Sequence, residues 1–152
     1  MTPNQKAFLD MLAISELGAP LLAVSNNGYD VLVGSTAQKP LLFTSYDTHP
    51  NILNTDFDST AAGRYQIIHP TFLGLCKQYG YTDFTPNTQD EMAIDLINGR
   101  GALQDIEDGN FASAVQKCSA EWASLPGGDS GQHENKLAVL QQAYIDAGGA
   151  LS

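Results

Sequence analysis

The chain has 152 residues, of which 43% are hydrophobic and 16% charged, and its 17 acidic and 7 basic side chains give a formal net charge of -10. This size predicts one globular domain with its own core, because a chain of about 150 residues buries roughly 70% of its unfolded surface. The charge argues against a nucleic-acid-binding or membrane-surface protein, since both need clustered Lys and Arg.

The first predicted helix covers residues 4–17, where apolar side chains recur at helical spacing after Pro3. Gly18 and Pro20 are typical stop signals, so the helix is expected to end around Glu16. Glu16 is thereby predicted to lie in the last turn of a short amphipathic helix.

The next segment, about 18–68, has the character of a β-lobe. The runs NNGYDVLVG and KPLLFTSYD are rich in β-branched and aromatic residues and are separated by Gly, Pro and Asn. This pattern predicts a small antiparallel sheet with long loops.

Helical signals return in HPTFLGLCKQYG, with a proline near the first helical position and Gly80 after the last turn. Thr85 or Thr88 is predicted to cap a helix that runs to about Asn98, and Thr88 has capping-box spacing to Glu91. Three further helices are predicted over residues 101–108, 111–124 and 132–147. The predicted fold is therefore α+β: a single mainly helical domain over 1–152, with the β-lobe and a cleft between the lobes.

Glu16 is the first candidate catalytic residue. Its sequence neighbours are mostly apolar, and the end of a helix carries partial negative charge, so both effects favour the protonated carboxyl. A carboxyl that stays protonated near neutral pH can act as the general acid that cleaves a glycosidic bond. An ordinary solvated glutamate is the alternative interpretation.

The stretch STAAGRYQI, residues 59–67, is the second candidate. Gly63 permits close approach of the backbone to another group, while Tyr65 offers a stacking face and Gln66 an amide, a combination suited to sugars. Arg64 is expected either in the cleft or in a structural ion pair. Ser59 is expected to bind substrate or the acid, or to stabilise a turn.

Several segments in order resemble the endolysin family of bacteriophage lambda, whose members are lysozyme-like lytic transglycosylases. They are AFLDMLAISE, GYDVLVG, YDTHP, STAAGRYQI, TDFTPNTQDEMAI, GRGAL and CSAEWASLPGG. The resemblance spans nearly the whole chain and implies a lysozyme-like, helix-rich fold with a three-stranded sheet. The chain departs from many family members in having Leu17 between the acid and Gly18.

The resemblance also implies the activity. The family cleaves the β-1,4 bond between N-acetylmuramic acid and N-acetylglucosamine of peptidoglycan and leaves a 1,6-anhydro ring on the muramic acid. Its catalytic glutamate falls on Glu16. The glycan-binding pattern falls on Ser59, Gly63, Arg64, Tyr65 and Gln66, and two lips of the cleft correspond to PNILNTDFDS and PGGDSGQHE, the second of which contains Gln132.

Two other functions remain open from the sequence. A hydrolytic muramidase would use a second carboxylate, for which the candidates are Asp30, Asp47, Asp56 and Asp58. A catalytically silent wall-binding module of a phage particle is the other alternative. A transglycosylase itself needs one carboxyl group and requires no metal and no cofactor.

The remaining motifs predict structural roles. Trp122 lies on the apolar stripe of its helix and is expected to be mostly core, with an edge available to the glycan. Cys76 and Cys118 are expected to be buried thiols, and the three histidines lack the spacing of a zinc site.

The N-terminus lacks the basic and apolar regions of a signal peptide, and no apolar run of membrane-spanning length occurs. We therefore expect a protein made in the cytoplasm without a membrane anchor. We also expect a monomer, and the resemblance implies that it is stored in the host cytoplasm. From the resemblance, we expect it to act on periplasmic peptidoglycan after release through a holin-type pore.

Overall fold

The computed structural model describes residues 1–127 and 134–152, and that part of the chain contains seven helices. They are α1 (Pro3–Leu17), α2 (Ala19–Ala23), α3 (His69–Tyr79), α4 (Pro86–Gly99), α5 (Leu103–Glu107), α6 (Phe111–Cys118) and α7 (Leu137–Asp146). None of these helices is both long enough and apolar enough to cross a membrane.

The chain divides into two compact units. The terminal unit comprises Met1–Glu16 and Ala93–Ser152, and the central unit comprises Leu17–Met92. The predicted lobe of about 18–68 lies within the central unit.

Aromatic rings from three helices form part of the core of the terminal unit. Phe8 of α1 packs against Phe111 of α6 and Tyr144 of α7, with centroid distances of 6.0 and 6.5 Å. The predicted stripe is confirmed within α6, where Phe111, Ala114, Val115 and Cys118 are buried, and Trp122 is buried too but lies beyond the end of the helix. Burial of this stripe removes apolar surface from water and ties α6 to the unit.

The predicted first helix is confirmed, and α1 ends at Leu17 beside Gly18, which has a positive φ of 82°. Pro20 follows the end of α1 as predicted, and it also lies in the first turn of a short helix that was not predicted, α2. A proline at this position needs no intrahelical N–H partner, so it permits a helix to begin.

The later helices follow their predicted signals in part. Gly80 ends α3 in the left-handed conformation and donates its N–H to Cys76 O at 2.8 Å. Thr85 precedes α4, and the N–H of Thr88 points to its hydroxyl at 3.4 Å. Thr88 lies inside α4 and donates its own hydroxyl to Asp83, so the predicted capping box with Glu91 does not form.

The helix predicted over 111–124 ends earlier, at Cys118, where the chain turns. The last helix begins at Leu137, whereas residues 132 and 133 of its predicted start lie outside the described residues.

The small antiparallel sheet predicted for the central unit is wrong, because the described residues contain only isolated bridges. Val31 pairs with Leu42 and Leu32 pairs with Ala62, and both pairs are antiparallel. Turns interrupt the segments before a ladder can extend, as at Gly28 and at Gly34, whose φ values are 86° and 87°. The predicted pairing direction is therefore present without regular strands.

Candidate active site

Glu16 is the penultimate residue of α1, where the unpaired carbonyl groups of the last turn disfavour a negative charge. The side chain is half-buried. Burial raises the pKa of its carboxyl from 4.5 to about 7, and a hydrogen bond with the Ser124 hydroxyl partly offsets the rise. The carboxyl can thus hold a proton near neutral pH and release it, as a general acid requires.

Three polar residues surround the end of α1. The hydroxyl oxygens of Ser15 and Ser124 lie 2.8 Å apart, and Asn135 Nδ2 donates to Ser15 O at 3.0 Å and Ser15 Oγ at 3.1 Å. The backbone N–H of Asn135 also donates to Ser124 O at 2.9 Å. These contacts join one end of α1 to two distant parts of the terminal unit.

These three residues were not predicted to be parts of the site. Ser124 lies 109 positions from Ser15 and Asn135 lies 120 positions away. No local pattern links residues at such separations. The only sequence signal was that Ser124 belongs to the WASLPG run.

The buried side-chain amide of Gln89 packs against the backbone of the STAAGRYQI stretch. Gln89 Oε1 accepts the N–H of Arg64 at 3.0 Å, and Gln89 Nε2 donates to Phe84 O at 2.9 Å and Tyr29 O at 3.1 Å. Gly63 has a φ of 83°, and a Cβ on it would lie 2.3 Å from Gln89 Oε1. The predicted close approach at Gly63 is confirmed, with this amide as the neighbour.

Tyr65 does not offer the predicted stacking face, because its side chain is only 1% exposed. Its hydroxyl donates to Asp90 Oδ1 and accepts from Arg64 NH1 at 2.8 Å. Burial is the main cause that holds the pKa of this phenol well above its usual range. An amphipathic ring satisfies its hydroxyl inside the unit here, so we correct its expected role to a structural one.

Arg64 is also buried, with 5% exposure, and has a supporting role in the central unit. Its Nε donates to Asn27 O at 3.1 Å, and its guanidinium lies 5.4 and 5.5 Å from the ring centroids of Tyr29 and Tyr65. The interactions hold the backbone of the stretch in place. These hydrogen bonds and ring contacts favour a structural role over a place in a glycan cleft, while the ion pair stays a prediction.

Ser59 and Gln66 are half-buried and remain predicted glycan contacts. The backbone of Ser59 pairs with Asn54, and its hydroxyl accepts the N–H of Ala61 at 3.1 Å. Gln66 has a φ of 52°, and its side-chain amide donates to Gly63 O at 2.8 Å. Such a conformation costs free energy for a residue other than glycine and is common at functional sites.

The first predicted lip presents apolar side chains on its surface. Ile52, Leu53 and Phe57 are 50%, 55% and 62% exposed. The Asn54–Ser59 bridge closes the turn that carries Phe57. An exposed aromatic ring in a closed turn is suited to contact the apolar face of a sugar.

Trp122 is 3% exposed, so the prediction that it belongs to the core is confirmed, and the predicted glycan contact through its edge is wrong because that edge is buried as well. Gln132 and the second predicted lip from residue 128 to 133 lie outside the described residues.

Within the residues that the structure describes, no three His, Cys, Asp or Glu side chains come together as a metal site requires. Cys118 is buried and Cys76 half-buried, both as free thiols, so the prediction of buried thiols holds for Cys118 alone.

The chain is similar to endolysins over nearly its whole length. The Endolysin family model matches residues 6–151. The endolysin of Escherichia phage P2 is 43% identical over 154 residues, which cover 96% of this chain and 93% of that protein. The endolysin of Escherichia phage lambda is 43% identical over 152 residues, which cover 97% and 93%.

A solved structure also matches over the full chain. It is bacteriophage lambda lysozyme complexed with a chitohexasaccharide, with a TM-score of 0.89 and 42% sequence identity, and the match covers 100% of this chain and 98% of that one. The predicted lysozyme-like fold is confirmed by this similarity.

Proposed function

This chain belongs to the endolysin family, and on that premise we propose that it degrades peptidoglycan as a lytic transglycosylase. The proposed target is the β-1,4 bond between N-acetylmuramic acid and N-acetylglucosamine. The observation that carries the proposal is the carboxyl of Glu16, whose burial at a helix end raises its pKa to about 7. A group with this pKa can donate and then accept a proton at neutral pH.

The proposed reaction uses Glu16 twice. The protonated carboxyl gives its proton to the bridging O4 as the bond between C1 of the muramic acid and O4 breaks. The C6 hydroxyl of the same sugar then bonds to C1, and the Glu16 carboxylate takes the proton which that hydroxyl loses. No water is consumed, so one carboxyl is sufficient, in contrast to hydrolysis with two.

We assign the glycan contacts to the surface of the central unit. Gln66 and Ser59 present polar groups, while Phe57 and its neighbours Ile52 and Leu53 present apolar ones. We assign a structural role to the buried residues below that surface, which hold its backbone in place: Gly63, Arg64 and Tyr65. Trp122 is assigned to the core of the terminal unit. Gln132 is kept as a predicted contact from the family resemblance.

A hydrolytic muramidase is the second candidate, because the similar solved structure is called a lysozyme. Asp56 and Asp58 are exposed in the turn next to Phe57, and Asp47 is exposed as well. Asp30 is half-buried and accepts the backbone N–H of Asn26 at 2.9 Å, which favours a structural role. Hydrolysis leaves a reducing muramic acid end in place of the anhydro end.

We also propose the cellular setting. The protein is stored in the host cytoplasm as a monomer, is released by a separate holin-type pore and acts on periplasmic glycan strands. Its formal charge of -10 fits a wall without anionic teichoic polymers, since like charges repel.

The test is digestion of purified peptidoglycan by the native protein and by Glu16→Gln, with mass analysis of the released muropeptides. We expect anhydro-muramyl products from the native protein and near-total loss of cleavage in Glu16→Gln, with unchanged circular dichroism. Glu91→Gln, at an exposed glutamate of α4, is the matched control and is expected to remain active. Full activity of Glu16→Gln would overturn the proposal, and reducing muramic ends would establish hydrolysis instead.

A further inference from the structure

The polar residues beside Glu16 form a hydrogen-bonded chain with a defined direction. Asn135 Nδ2 lies 3.0 Å from Ser15 O, a carbonyl oxygen that only accepts, so this atom is the amide nitrogen and donates. The same nitrogen therefore donates to Ser15 Oγ at 3.1 Å.

The direction continues to the acid. Ser124 has a single hydroxyl proton, and an ionised Glu16 carboxylate can only accept, so Ser124 must donate to it. Ser15 then supplies its own proton to Ser124 across the 2.8 Å contact between their hydroxyl oxygens. The chain thus runs from Asn135 through Ser15 and Ser124 to the carboxylate, and each bond polarises the next.

We propose that Ser124, oriented by Ser15 and Asn135, is a positioning residue that holds the Glu16 carboxyl for proton transfer and stabilises its ionised form. The inference rests on the proposed function, because it assigns a role to Ser124 in the reaction of Glu16. The carboxylate left after the first proton transfer must take the proton of the C6 hydroxyl. A donor that already points at the carboxylate keeps it in place between the two steps.

The anchoring of Ser124 supports this role. Ser15 is 8% exposed, so its hydroxyl has little competing water. The backbone N–H of Asn135 donates to Ser124 O at 2.9 Å, which connects Asn135 to both serines. Ser124 is therefore held through its backbone as well as through its hydroxyl.

Among the residues that the structure describes, no charged group takes the place of Ser124 in setting the pKa of Glu16. Burial and the Ser124 hydroxyl are the two causes of the change in its pKa. Other titratable groups occur along the same elements without appearing among those causes. They are Asp10 on α1, Glu121, which pairs with Arg100 at 2.8 Å, and Glu134 next to Asn135.

The experiment measures kcat and KM on peptidoglycan fragments across a range of pH. A reaction that needs protonated Glu16 slows at pH values above the pKa of Glu16, and we call this part of the pH–activity curve the alkaline limb. Ser124→Ala removes a donor to the carboxylate, so it is expected to move the alkaline limb to higher pH by about one unit. We expect kcat at neutral pH to fall roughly tenfold through lost orientation, with KM nearly unchanged.

Matched variants separate the hydroxyl from the shape of the side chain. Ser124→Thr keeps a hydroxyl and is expected to retain the native alkaline limb. Ser124→Val has the shape of threonine without the hydroxyl, so it is expected to shift the limb as Ser124→Ala does. Asn135→Ala should shift the limb in the same direction by less. Ser119→Ala removes another half-buried hydroxyl of the terminal unit, which donates to Gln116 O, and should leave the limb in place.

A direct titration keeps the two proposals distinguishable. Carboxyl carbon NMR of Glu16 in the native protein and in Ser124→Ala or Asn135→Ala reports the pKa without any activity. An unchanged Glu16 pKa in both variants overturns the role of Ser124, even if Glu16→Gln is inactive. A native protein without cleavage, or an active Glu16→Gln, overturns the proposed function whatever the titration shows.

Discussion

Gly63 and Gln89 are in direct contact: a Cβ on Gly63 would lie 2.3 Å from Gln89 Oε1. Gln89 is fully buried and makes three hydrogen bonds to backbone groups of the central unit. It cannot move aside without breaking them, so the site needs a residue without a side chain. Gly63 also has a φ of 83°, a second reason for glycine.

Gly63→Ala is therefore expected to lower the free energy of unfolding by about 3 kcal/mol, through backbone strain and loss of the Gln89 contacts. Chemical denaturation measures the change. Gly74→Ala is the matched control, since Gly74 lies in α3 with no atom within 4 Å of its added Cβ. It should stabilise the helix by about 0.5–1 kcal/mol. Equal stability of the two variants would contradict this explanation.

Tyr65→Phe tests whether Tyr65 is a structural residue. Its hydroxyl contacts Asp90 and Arg64 inside the central unit, so we expect a loss of about 1–3 kcal/mol in the free energy of unfolding. KM for peptidoglycan should stay the same, because the ring is buried. Tyr29→Phe, which removes the half-buried hydroxyl that donates to Asp90 at 2.9 Å, is expected to cost less. A raised KM with native stability would restore the stacking role.

The pKa of Glu16 predicts how activity depends on pH. The proposed first step needs the protonated carboxyl, and the pKa is raised to about 7. Therefore kcat/KM should be constant below this pH in the neutral range and fall about tenfold per pH unit above it. Assays on peptidoglycan fragments at constant ionic strength measure the limb. A limb near the ordinary glutamate pKa would show that the acid is not buried as the structure describes.

The same pKa predicts a pH-dependent effect of Glu16→Gln on stability. The folded protein binds this proton more tightly than the unfolded chain, so stability falls as the pH rises from 4.5 to about 7. At pH values above about 8 the ionised carboxylate costs the fold about 3 kcal/mol, which the neutral amide avoids.

We thus expect thermal denaturation to show a more stable Glu16→Gln in mildly alkaline buffer and nearly equal stability in acid. Glu91→Gln should show no such dependence, because Glu91 is exposed on α4. A Glu16→Gln advantage that is independent of pH would mean that packing, and not charge burial, is responsible.

Phe57→Ala tests the apolar surface of the first lip. Because its ring is 62% exposed, we expect little change in stability and a rise in KM of about 3- to 10-fold from the lost sugar contact. Leu73→Ala removes a 53% exposed side chain from α3 and serves as the control for lost surface hydrophobicity. If both variants kept the native KM, the turn would not bind glycan.

Local features of the chain could be predicted from sequence because they depend on residues a few positions apart. The end of α1 at Glu16 and Leu17, the Gly80 cap of α3 and the buried stripe of α6 each follow from helical spacing and one terminal signal. The direction of the Glu16 pKa shift was also predicted from its apolar sequence neighbours and the helix end, although the burial that causes most of it is a property of the folded chain. Recognition of the family came from short motifs in their order along the chain.

Features that depend on distant residues were decided by the tertiary structure alone. A tyrosine next to Arg64 has the same local pattern whether its ring faces a sugar or, as here, Asp90 inside the unit. Isolated bridges replaced the predicted strands because the turns around them limit each pairing to one residue. The chain from Asn135 to Glu16 spans most of the sequence, so only folding brings its donors together, and folding thereby sets the balance between burial and hydrogen bonding at the acid.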